Sequence, residues 1–90
     1  MRTSHRLLLR LFFDPQFDFD RVRVVYVNRG APADRSSATG SMIRRLDADY
    51  MEIAADDRIT CIPYHRITAI LYDGGIVWER PGSTRAEESG

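Results

Sequence analysis

The chain opens on a helical pattern. Leu7, Leu8, Leu11 and Phe12 recur at intervals of three and four, so they share one helical face, and Ser4 stands where it can cap the first turn. Residues 4–13 are therefore predicted to be a helix. Asp14-Pro15 ends it, because the residue before a proline is pushed out of the α region. From Arg21 to Asn28 the pattern changes to β-branched and aromatic side chains (Val22, Val24, Val25, Tyr26, Val27), which predicts a strand. Two later stretches read as hairpins. Residues 50–54 and 58–62 face each other across Ala55-Asp56-Asp57. Residues 67–72 and 76–79 do so across Asp73-Gly74-Gly75, where glycine supplies positive φ.

The remaining stretches have no apolar periodicity. Residues 29–40 are rich in Gly, Ala, Pro, Ser and Asp and read as a loop, long enough to suggest function or disorder. Residues 41–46 fit either a turn of helix or a strand. Residues 81–90 are polar and small, and predict a disordered tail. Strands that succeed one another without intervening helices form antiparallel sheets. The expected fold is α+β: an N-terminal helix packed on a mostly antiparallel sheet of about five strands, within one domain over residues 4–80.

Composition narrows the possibilities. Ninety residues, 43% hydrophobic and 29% charged, suit one globular core and leave no room for separate cofactor and substrate domains. The formal net charge is zero and names no partner, but the charges are segregated along the chain. Residues 21–45 hold six arginines against Asp34 alone, and residues 46–57 hold five acids and no base. All 13 basic residues are arginine, whose planar fork grips phosphate in two places, although a genome biased toward arginine codons would look the same. Cys61 is the single cysteine and lies in an apolar strand pattern, which predicts a small core residue in a reducing, cytoplasmic setting. Two histidines and one cysteine make no spaced metal cluster, and no cofactor is expected. Arg10 and Asp14 flank and interrupt the apolar run 7–13, and no small-residue cleavage site comes after it, so this segment reads as structure rather than a leader, and no membrane association is expected.

Three features carry candidate chemistry. In Pro63-Tyr64-His65-Arg66 the proline breaks or edges the strand and redirects the next residues, so His65 and Arg66 fall at a strand junction. There the imidazole offers one or two donors, a neighbouring phosphate favours its charged form, and Arg66 supplies a bidentate grip. The competing structural reading has His65 capping a carbonyl and Arg66 paired with a carboxylate such as Asp34. The second feature is Tyr26 followed by Arg29-Gly30 and, further on, Asp34-Arg35, a strand end that could seat an anion on backbone N–H groups beside a guanidinium. The third is the set Tyr26, Tyr50, Tyr64 and Tyr72. Tyrosines on a sheet can stack unpaired bases, but a strand tyrosine more often lies at the core edge. Trp78 and the four phenylalanines Phe12, Phe13, Phe17 and Phe19 read as core or helix-packing groups.

Several of these segments together resemble the RNA cyclic group end recognition domain family: Phe13-Asp14-Pro15, Val24 to Pro32, Gly40-Ser41-Met42-Ile43, Ile62-Pro63-Tyr64-His65-Arg66-Ile67, and Val77-Trp78. The similarity covers about residues 6–80. Its most specific element is residues 63–67 followed by Val77-Trp78. Phe13 departs from the tryptophan usual before Asp-Pro in relatives. This keeps the apolar role and puts any base stacking by that position in doubt. The resemblance implies recognition of RNA with a 2′,3′-cyclic phosphate or related processed end, and an association with RNA-end-processing proteins. It points to Arg29, His65 and Arg66 as ligand contacts, with Tyr26 and Tyr64 in support; Arg35 joins them from the loop reading.

These readings leave three functions: an RNA-end binding module, a phosphoesterase using His65 as acid or base, and a protein-interaction or structural module. The enzyme needs both an acid and a base. His5 is the second histidine, in the first helical turn, and the paired His-x-Thr or His-x-Ser motifs of two-histidine phosphoesterases are missing. An RNA-binding module without a cofactor is the preferred expectation.

Overall fold

The computed structural model describes residues 3–80. Helix α1 spans Thr3–Phe13. Ser4 lies inside it and is buried, so it is part of the inward stripe rather than a cap. That stripe is Ser4, His5, Leu8 and Leu11, with Leu7 at its margin. Phe12 is 41% exposed and Phe13 72%, against the expectation that both pack inward; Phe17 and Phe19 are partly buried against the core. The Phe12 ring instead meets Phe13 and Phe19 edge-on, at 4.9 and 5.0 Å.

Among the described residues seven strands come after the helix: β1 Val22–Val27, β2 Arg35–Thr39, β3 Ile43–Leu46, β4 Tyr50–Ala55, β5 Arg58–Pro63, β6 Ile67–Tyr72 and β7 Gly75–Glu79. They form two antiparallel sheets, in the orders β2-β1-β6-β7 and β3-β4-β5. The α+β class stands, but the single sheet of about five strands is corrected to two sheets with seven strands. The difference arises in residues 29–46. Strand β2, Arg-Ser-Ser-Ala-Thr, buries only Ala38, so no apolar alternation announces it. It forms by backbone pairing with β1, from Val27 opposite Arg35 to Arg23 opposite Thr39. A 3₁₀ turn at Gly40–Met42 then carries the chain into the second sheet. Gly40 is buried, and a side-chain carbon there would overlap the carbonyl oxygen of Phe19.

Both hairpins close on two-residue turns with left-handed backbone, which matches the twist of antiparallel strands. Asp73 (φ 52°) and Gly74 (φ 87°) form one, closed by Tyr72 opposite Gly75. In the other, Asp56 (φ 52°) and Asp57 (φ 62°) take the turn without glycine, closed by Ala55 opposite Arg58. Aspartate tolerates this region better than most side chains.

One apolar cluster joins all parts. Leu8 and Leu11 of α1 meet Val22, Val24, Ile67 and Ile70 of the larger sheet and Met51, Ile53 and Ile62 of the smaller. Burying each such side chain contributes roughly 1.5–3 kcal/mol. Cys61 is exposed rather than a core residue, and Trp78 packs only partly against the cluster. Residues 81–90, expected to be a disordered tail, lie outside the described residues. Among the described residues no helix is long and apolar enough to cross a membrane.

Candidate functional site

Strands β1 and β6 run antiparallel, with Tyr26 opposite Ile67 after a bulge at Val25/Tyr26. The end of β1 and the start of β6 are therefore side by side. The residues just outside them meet: Asn28 and Arg29 from one side, His65 and Arg66 from the other, with Val27, line an open depression of about 640 Å³.

Local structure presents these side chains outward. Pro63, extended at φ −60° and ψ 143°, leads into a 3₁₀ turn at Tyr64–Arg66. Tyr64 anchors that turn from below. Its ring is 2% exposed and stacks on buried His5, its hydroxyl donates to the Asp47 carbonyl oxygen at 2.6 Å, and its N–H donates to the Asp49 carbonyl oxygen at 3.3 Å. Burial, and then the charges of Asp47 and Asp49, push the Tyr64 phenol well above tyrosine's ordinary range. With Tyr64 held inward, the next two residues are exposed.

On the other side, residues 28–34 form a closed loop. The N–H groups of Asn28, Ala31 and Asp34 donate to the carbonyl oxygens of Asp34, Asn28 and Ala31, at 2.8, 3.1 and 2.8 Å. The Gly30 N–H donates to Asp34 Oδ1 at 3.3 Å. This corrects the picture of a backbone anion seat, because four of the loop's donors are already engaged. What the loop offers is the Arg29 side chain, carried beside Gly30 at φ 96°. The Asp34 carboxylate is turned to Gly30 and, among the described residues, makes no ion pair with an arginine.

Among the described residues, the ion pairs and side-chain hydrogen bonds leave Arg29, His65 and Arg66 unengaged. Two arginines elsewhere are partly neutralised: Arg21 by Asp18 and Asp73 at 3.7 and 3.5 Å, and Arg45 by Asp47 at 3.5 Å. Such exposed pairs are worth little, roughly 0–1 kcal/mol each. The depression is basic because Arg29 and Arg66 line it and, among the described residues, no carboxylate does.

Other sequence candidates fall elsewhere. Arg35 is exposed at the start of β2, opposite Val27, and does not line the depression. Tyr26 is 7% exposed and Tyr64 2%, so neither ring offers a face to a base; both are corrected from stacking platforms to core residues. His5 is buried and leaves His65 as the one imidazole lining the depression. No group of three or more potential metal-ligating side chains is found among the described residues.

Sequence reasoning missed two parts of this surface. Asn28 lines the depression while its amide donates to Ser36 Oγ at 2.8 Å, a contact that exists only once β2 pairs with β1. A second depression of about 280 Å³ shares Val27, Asn28 and Arg66 with the first and continues to Arg58, Thr60 and Cys61 of β5. In the sequence, Arg58 and Thr60 are the polar positions of that strand.

A family model described as MJ1316 RNA cyclic group end recognition domain matches residues 1–80. A UPF0248 protein from Archaeoglobus fulgidus is 34% identical over 67 residues, which cover 74% of this chain and 90% of that protein. No solved structure matches.

Proposed function

The chain belongs to the MJ1316 RNA cyclic group end recognition domain family, and from that premise we propose that it binds the phosphorylated end of an RNA in the depression lined by Arg29, His65 and Arg66. The observation that carries this is convergence: residues 29 and 65–66, far apart in sequence, line one concavity with no protein partner for their donors among the described residues. A 2′,3′-cyclic phosphate is compact, singly charged, and has two free oxygens. Two guanidinium forks and an imidazole N–H supply more donors than those oxygens need, and hydrogen bonds to charged groups are the strong ones.

The burial of Tyr26 and Tyr64 refines the reading. Recognition centres on the phosphate and ribose rather than on the base, so weak base preference is expected. The same site favours binding over turnover. His65 lacks a second imidazole or a lining carboxylate with which to divide acid and base roles.

The test is a titration of the full chain with one short RNA ending in a cyclic phosphate, a 3′-phosphate or a free hydroxyl, followed by mass analysis of the RNA. The cyclic end should bind tightest and be recovered intact. Substituting Arg29, His65 and Arg66 by alanine should abolish the preference without changing the melting temperature. Equal affinity for all three ends would sink the proposal.

A further inference from the structure

Resting on that reading, we infer that the second depression is a track for the RNA backbone upstream of the bound end, with Arg58 contacting an internal phosphate. The two depressions adjoin, with Val27, Asn28 and Arg66 lining both. Arg66 stands at their junction and Arg58 at the far end of β5. At about 3.3 Å per residue the strand between them is longer than one nucleotide. The walls are those of a backbone track rather than a base pocket. Arg58 and Thr60 offer polar hydrogen-bonding groups, both are exposed, and among the described residues no ion pair engages Arg58. Below them Ile53 and Ile62 make an apolar floor. Tyr26, the one aromatic residue of the lining, is buried and cannot hold a base by stacking. Asp56 also lines the Arg58 end, and its carboxylate opposes a phosphate there. The contact is therefore modest, and it marks where the track stops.

The experiment compares a mononucleotide 2′,3′-cyclic phosphate with a tetranucleotide bearing the same end, on the full chain. The tetranucleotide should bind about threefold or more tighter. Arg58→Ala should erase that gain and leave the mononucleotide affinity unchanged. Asp56→Asn should enlarge the gain, and asparagine tolerates the turn's φ of 52°. Equal affinities for the two ligands, or a gain that survives Arg58→Ala, would each overturn the track while leaving end recognition standing. Failure of the mononucleotide and the tetranucleotide alike to bind would remove both.

Discussion

The ring of His5 lies nearly flat on the ring of Tyr64, with centroids 4.2 Å apart and planes inclined by 15°. Both residues are buried, so the first turn of α1 braces the turn that carries His65 and Arg66. Replacing His5 by alanine should destabilise the fold by about 1–2 kcal/mol, from the lost ring pair and the space left behind. RNA-end affinity should fall as well, although no contact residue has changed. His5→Phe, which preserves a stacked ring, should recover most of both. A thermal melt and a titration check this; an alanine variant that matches the native chain in both would show that the stack does not hold the turn.

Gly40→Ala should be among the most damaging single changes. Its added methyl has no space, because the obstacle is the carbonyl oxygen of Phe19, which is backbone and not a movable side chain. Overpacking usually costs about 1–3 kcal/mol, and a backbone obstacle puts this case at the upper end or beyond. Urea denaturation should show a large fall in midpoint. Alanine at Gly74, whose φ is 87° but which has nothing within 4 Å, should cost about 1 kcal/mol through conformation alone.

Stability should decline in alkali partly through Tyr64. Its folded-state pKa is raised above the ordinary 10.0. As the pH rises, the unfolded chain releases this proton first. The contribution is therefore complete below about pH 10 and is lost as the pH climbs beyond it. Tyr64→Phe gives up the bond to the Asp47 carbonyl oxygen, costing about 1 kcal/mol at neutral pH. The variant should then lose less stability than the native chain above about pH 10. Tyr50, raised by the charge of Asp47, is present in both proteins, so the difference isolates Tyr64. Parallel curves through that range would contradict the assignment.

Asp34 separates a positioning role from a purely electrostatic one. Its carboxylate accepts the Gly30 N–H at 3.3 Å while its own φ is 57°. Asp34→Asn keeps an acceptor and tolerates the backbone, so RNA-end affinity should stay close to native. Asp34→Ala should cost about 1 kcal/mol in stability and weaken end binding by loosening the loop that carries Arg29. Tighter binding by the alanine variant would mean that the carboxylate acts chiefly by repelling the ligand.

Local pattern was enough for the parts of this protein that are locally encoded. The spacing of Leu7, Leu8 and Leu11, the β-branched run from Val22, and the turn residues at Asp56-Asp57 and Asp73-Gly74 each carry their element in a few neighbouring positions. The resemblance in residues 63–67 and 77–78 points to the family that the comparisons show, and it groups Arg29, His65 and Arg66.

Tertiary structure decided the rest, because it depends on pairings between distant segments. Nothing in Arg-Ser-Ser-Ala-Thr marks a strand until β1 offers its free edge, and recruiting β2 and β3 turns one expected sheet into two. Whether a strand tyrosine faces water or core depends on what covers it, and the shared core covers Tyr26 and Tyr64 while leaving Cys61 exposed on an edge strand. The depression itself arises from Tyr26 lying opposite Ile67. Sequence determined which residues could hold a phosphate; strand register decided which of them face the same space.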